Sequence, residues 1–278
     1  MTSSHPNEVV VITGASSGIG RALAMKLAVR GARMILGGRE QSALDALVQE
    51  LRELGASAQA VAGDVRQEGV LQGMVQAAVD QHGRLDVMIN NAGVTYPGQV
   101  LEGQTRQWSE MLETNALAVF VGCREAARCL GAGGVIVNIS SLAGATPTPE
   151  DAVYSASKHA VHAFSAALRV ELAERGIHVL VVEPGQTMTN IARGLSVERL
   201  RILGSALGLD PADIPDFQGR HAPPEFADSV LRQHASQFLS SEEVAEAVVA
   251  ALSTSPIPAR LRILPGNPPS IDAWPEGT

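Results

Sequence analysis

Through the first 185 positions, short apolar runs rich in β-branched residues alternate with longer segments whose apolar positions recur every three to four residues. The runs are 8–13 "EVVVIT", 33–37 "RMILG", 57–62 "SAQAVA", 85–90 "LDVMIN", 134–140 "GVIVNIS" and 177–183 "IHVLVVE". Between them, 19–30, 40–54, 67–82, 105–130 and 155–175 carry helical spacing. Strand–helix alternation of this kind predicts right-handed crossovers and a mostly parallel sheet covered on both faces. From 187 the pattern loosens. It returns with "SEEVAEAVVAALS" and "ARLRIL", one more helix and one more strand, and the tail "PGNPPSIDAWPEGT" reads as loop. The expected architecture is a single doubly wound α/β domain spanning 1–278, with 187–240 inserted over the carboxyl edge of the sheet. Within that insertion, "NIARGLSVERLRILGSALGL" has an amphipathic helical pattern, and "DPADIPDFQGRHAPPEF" carries four prolines that stop any helix. The segment reads as an amphipathic lid followed by a stiffened loop.

Composition narrows the function. Apolar residues make up 45% of 278 positions, enough for a large core. Aromatics are only 3% and the net charge is −8, which argues against stacking platforms and a polyanionic partner such as nucleic acid. No apolar run reaches membrane-spanning length, and "MTSSHPNE" lacks the charged-then-apolar pattern of a signal. Cys123 and Cys129 lie six positions apart on one predicted helix, about 240° around its axis, so they neither pair nor form a metal site. A reducing, cytoplasmic setting and no metal are the expectation.

Two stretches carry chemistry. After the first strand, "TGASSGIG" (Thr13 to Gly20) runs straight into a helix. Gly14, Gly18 and Gly20 permit a tight turn and close backbone approach, and the amides of Ser16, Ser17 and Ile19 sit where a pyrophosphate meets a helix N-terminus. At the end of the second strand, where an acid would accept from an adenosine ribose, the chain has Gly38 and then Arg39. A guanidinium suits a 2′-phosphate, so NADP is favoured over NAD.

The second stretch is "DAVYSASKHAV", residues 151–161. Only two tyrosines and two lysines occur in the chain, yet Tyr154 and Lys158 stand one helical turn apart. Positions i and i+4 share a helix face, which puts an ammonium beside a phenol. Reduction of a ketone needs hydride at carbon and a proton at oxygen. A phenol with an ordinary pKa of about 10 is a poor acid at neutral pH, and a nearby ammonium is expected to bring it down. Lysine, a compact charge able to join a proton relay, suits this better than the arginine that supplies nearly all the other positive charge.

With these features in place, the chain resembles the short-chain dehydrogenase/reductase family over roughly 8–186 and more loosely over 240–266. The resemblance rests on Thr13-Gly14-x-x-x-Gly18-x-Gly20, Asp64-Val65, Asn90-Asn91-Ala92-Gly93, Asn115, Ser141, Tyr154-x-x-x-Lys158 and Pro184-Gly185. It implies a three-layer Rossmann-type domain with a seven-stranded parallel sheet, a nicotinamide cofactor and a catalytic group of Asn115, Ser141, Tyr154 and Lys158. Ser141 is selected over Ser140 because the family pattern places the serine thirteen residues before the tyrosine. Asn115 is given a water-holding role, Asp64 and Val65 a place beside the adenine, and Asn91 the neighbouring ribose or the helix–sheet packing. Ala92, Gly93, Pro184 and Gly185 line the cofactor, Thr187 contacts the carboxamide through its backbone, and Thr189 reaches the amide or pyrophosphate. Tyr96 is a candidate lining residue for the substrate pocket, whereas His159 and His162 read as packing or surface residues. The family also pairs its equivalents of the helices at 105–130 and 154–175 across two-fold axes, which implies a homotetramer or dimer. The functional expectation is an NADP-dependent carbonyl reductase or alcohol dehydrogenase acting on a small molecule. Alternatives are a carrier-linked 3-ketoacyl reductase, with Arg124 and Arg128 as a docking patch, or a non-catalytic NADP-binding sensor.

Overall fold

The computed structural model describes residues 7–187, 214–215, 229 and 238–272. Its parallel strands are β1 (Val9–Ile12), β2 (Arg33–Gly38), β3 (Ser57–Ala62), β4 (Leu85–Asn90), β5 (Leu130–Ile139), β6 (His178–Pro184) and β7 (Arg260–Ile263). The sheet order is β3-β2-β1-β4-β5-β6-β7, extended by β8 (Ser270–Asp272), which pairs antiparallel with β7. The eighth strand falls in the tail that the pattern assigns to loop. Three residues are too few to show an alternation, and their pairing (Leu261 with Ile271) is decided by the edge that β7 presents.

Helices α1 (Gly18–Ala28), α2 (Gln41–Glu53) and α7 (Ser241–Ala251) cover one face. Helices α3 (Glu68–His82), α5 (Ala118–Cys129) and α6 (Ala152–Ala173) cover the other, and α4 (Thr105–Leu112) precedes α5. Successive side chains of a strand point to opposite faces, so Val10 and Ile12 enter the first core while Val9 and Val11 enter the second, all fully buried. That explains why these strands are apolar throughout rather than alternating.

The order turns back between β1 and β4, and ligands of such sheets bind outside the carboxyl ends at that switch point. One predicted helix is corrected here. The segment 105–130 is not continuous, because α4 passes into a π-helical stretch, Glu113–Leu117, before α5 begins. Such bulges insert a residue into the turn and often mark functional positions. Asn115, a poor helix former, sits inside this one.

Candidate active site

A cleft of about 470 Å³ runs along the carboxyl ends of the strands. At its phosphate end lie Gly14, Ser16, Ser17, Gly18 and Ile19. Gly14 adopts φ +63°, and a Cβ there would come within 2.9 Å of the Ala92 Cα. Gly20 does not line the cleft. A Cβ on it would stand 2.3 Å from the Gly14 carbonyl oxygen, so its role is to let α1 pack close beneath the turn. The turn is held from β4: the Asn91 amide donates to the Thr13 and Gly14 carbonyls at 2.9 and 3.1 Å. Thr13 Oγ1 in turn accepts from the Asn91 and Ala92 amides at 2.9 and 3.0 Å. Of the two roles expected for Asn91, these bonds supply the packing one. Ser17 stands at the N-cap of α1 in extended conformation but gives it no side-chain cap. Uncapped first-turn amides facing a cleft are a donor set suited to a pyrophosphate, so a dinucleotide fits these residues.

The adenosine end is lined by Gly38, Arg39, Gly63, Asp64, Val65 and Arg66. Arg66 grips the Asp64 carboxylate through Nε and Nη2, and this holds Asp64 below the usual carboxylate range. Arg39 is 67% exposed, with Nη1 3.9 Å from Glu110 on α4. Neither Arg66 nor Glu110 is apparent from the sequence. Arg66 follows directly on the Asp64-Val65 pair and could have been noticed, whereas Glu110 arrives only because α4 folds over the mouth. Tyr96 is corrected: it does not line the cleft, and its hydroxyl donates to Glu110 at 2.9 Å.

The chemical end brings Ser141, Tyr154 and Lys158 together. Ser141 follows β5 at the start of a short 3-10 turn, Leu142–Gly144, and its Oγ accepts from the Ala143 amide at 3.2 Å. Ser140 is buried and donates to the Lys158 carbonyl at 3.3 Å, which leaves Ser141 as the serine hydrogen-bonded to the Tyr154 hydroxyl. Lys158 is buried, its Nζ donating to the Ile139 carbonyl at 2.9 Å and standing 5.9 Å from the centre of the Tyr154 ring. Burial drives the two groups in opposite directions. It pushes the Tyr154 phenol up to about 12, against the lowering effect of the Ser141 bond, and brings Lys158 down to about 8. The expected lowering of the phenol by the ammonium is therefore not what these residues alone produce, because Lys158 is bonded to backbone and desolvation dominates.

Asn115 is fully buried and does not reach the cleft. Its side chain clasps the Val94 backbone at both ends, at 2.8 Å each, and donates to Ser157 Oγ at 3.1 Å. It therefore positions the loop after β4 against α6. At the far end Pro184, Gly185, Gln186 and Thr187 line the cleft, Thr187 Oγ1 donating to the Gly185 carbonyl. Phe238, also unforeseen, closes that end where the chain returns and the Leu239 amide bonds the Gln186 carbonyl. Thr189, and most of the expected lid, lie outside the described residues.

Behind the site, Glu183 of β6 is fully buried between Arg260 and Arg262 of β7, at 2.7 and 3.2 Å, with His162 of α6 at 3.8 Å. His159 is exposed and His162 buried. Burial lowers His162 to about 4, so it is neutral in working conditions.

The sequence model for short chain dehydrogenase matches residues 8–199. A putative ketoacyl reductase of the monensin polyketide synthase, from Streptomyces virginiae, is 37% identical over 250 residues, or 84% of this chain and 92% of its own. A variant of actinorhodin polyketide ketoreductase, solved with NADPH, is 31% identical with a TM-score of 0.77, covering 96% of this chain and 98% of that one. A short chain dehydrogenase/reductase from Burkholderia phymatum, solved with NAD, is 28% identical with a TM-score of 0.74, covering 92% and 89%. With the glycine turn, the Tyr154–Lys158 pair and this match over most of its length, the chain belongs to the short-chain dehydrogenase/reductase family and is an NAD(P)-dependent oxidoreductase.

Proposed function

We propose that this chain transfers hydride between NADP(H) and a small ketone or alcohol. The observation that carries the reading is the convergence of Ser141, Tyr154 and Lys158 on one cleft, opposite a glycine turn. When bound, the nicotinamide supplies the hydride to the carbonyl carbon or takes it back. The protein handles the oxygen. The Tyr154 phenol, protonated at neutral pH, gives its proton to the forming alkoxide, and Ser141 holds that oxygen by hydrogen bonding. Lys158, with its pKa near 8, keeps most of its charge at pH 7 and stabilises the phenolate left behind. In the oxidative direction the same groups run in reverse. Arg39 at the adenosine end supports NADP over NAD. The test is coenzyme oxidation with NADPH and with NADH against ketones, aldehydes, quinones and ketoacyl thioesters. Turnover with NADPH on at least one carbonyl class is expected, and none on any would overturn the reading.

A second reading, reduction of a carrier-bound 3-ketoacyl thioester, is favoured by the names of the relatives from Streptomyces virginiae and the actinorhodin system. The helix arginines offer it little. Arg124 bonds both Glu68 and Glu125, and Arg128 bonds Glu125, so neither is an open docking cation. The same acyl group presented on a carrier protein and as a short thioester separates the two: only a carrier-dedicated enzyme would strongly prefer the former.

A further inference from the structure

The adenosine end of the cleft holds more negative charge than a site built only to attract a phosphate. Two cations, Arg39 and Arg66, face three carboxylates, Asp64, Glu110 and Glu113. Arg66 is committed: it grips Asp64 with two nitrogens, and its third lies 3.8 Å from Glu113. That leaves Arg39, exposed and only loosely held by Glu110 at 3.9 Å, to meet a 2′-phosphate. Glu110 is not free to swing away when one arrives. It lines the cleft with its side chain 18% exposed, and the Tyr96 hydroxyl donates to its second oxygen at 2.9 Å.

The geometry points to Glu110, fixed in place by Tyr96, as the residue that sets how strongly this chain discriminates between phosphorylated and unphosphorylated dinucleotides. This rests on the NADP reading above. A 2′-phosphate bonded to Arg39 would sit within a few ångströms of the Glu110 carboxylate, at a cleft mouth where Arg39 is exposed and salt screens the pair. Arg39 attracts the phosphate and Glu110 opposes it. A 2′-hydroxyl carries no charge and is not repelled by Glu110. The chain therefore has its NADP preference moderated from within, and Tyr96 is a positioning residue for that effect.

The test is fluorescence titration of the free protein with NADPH and NADH, which needs no substrate. Glu110→Gln keeps the shape and the acceptor for Tyr96 while removing the charge. It should tighten NADPH about tenfold at low salt, leave NADH within about twofold, and lose most of that gain as salt screens the pair. Tyr96→Phe should shift the ratio the same way by a smaller factor, and it keeps the idea falsifiable if Glu110→Gln folds poorly. If the wild-type chain prefers NADPH and neither variant raises the NADPH/NADH ratio, the role of Glu110 is overturned and the cofactor reading stands. If the wild-type chain binds NADH more tightly than NADPH, the cofactor reading fails and this inference goes with it.

Discussion

Tyr154 and Lys158 were legible because a helix of known period turns a four-residue spacing into a shared face. What their environment does to them was not legible, because desolvation depends on what is packed around them after folding. Burial raises the phenol to about 12 and also raises Tyr96, so the free protein keeps both of its tyrosines protonated through neutral pH. Ultraviolet titration should accordingly show no tyrosinate below about pH 10. A tyrosinate signal between pH 7 and 8 in the free protein would mean that Lys158 governs the phenol after all. Glu110 was hidden for the same kind of reason: it meets Arg39 only through the placing of α4, and nothing local to it marks it as a site residue.

At the scale of elements, the six apolar runs were readable as strands because a strand covered on both faces is apolar throughout. The π stretch at Glu113–Leu117 was not, because the one-residue slip it puts into the apolar phase is masked where Leu117, Val119, Phe120 and Val121 make the segment apolar on more than one face. Asn115 profits from that bulge, which lets its side chain clasp Val94 and Ser157 together. A second junction, of β6, β7 and α6, stores pH dependence. His162 faces Glu183, Arg260, His159 and Lys158, and burial lowers it from 6.5 to about 4. A depressed folded pKa on a base means that the unfolded chain takes the proton first. The contribution of His162 is therefore complete above pH 6.5 and is lost as pH falls towards 4. Between pH 7 and pH 4.5 that loss is on the order of 2 kcal/mol. Urea unfolding of the wild type and of His162→Gln at those two pH values checks it: the variant should lose less stability on acidification by about that amount. Equal losses would remove His162 as the cause.

At the scale of the whole molecule, part of the helical apolar surface is accounted for by the chain's own core. Val119, Val161 and Leu168 are buried there. Phe120 and Phe164 stack at 4.1 Å between ring centres and remain partly exposed, and Leu112 and Leu117 are 45% and 55% exposed on the same stretch. An apolar strip of this kind is what association would cover, so a homotetramer, or failing that a dimer, is expected by light scattering at micromolar concentration. A single-subunit mass would contradict it. None of the described helices is long and apolar enough to cross a membrane. The central claim, that the chain moves hydride and lets Tyr154 move the proton, is tested most directly by following coenzyme oxidation with the best carbonyl substrate in wild type, Tyr154→Phe and Lys158→Arg. The expected result is a loss of at least about a hundredfold in kcat for Tyr154→Phe, with NADPH binding nearly intact, and a severe loss for Lys158→Arg although its charge is kept. Near-normal turnover by Tyr154→Phe would contradict it.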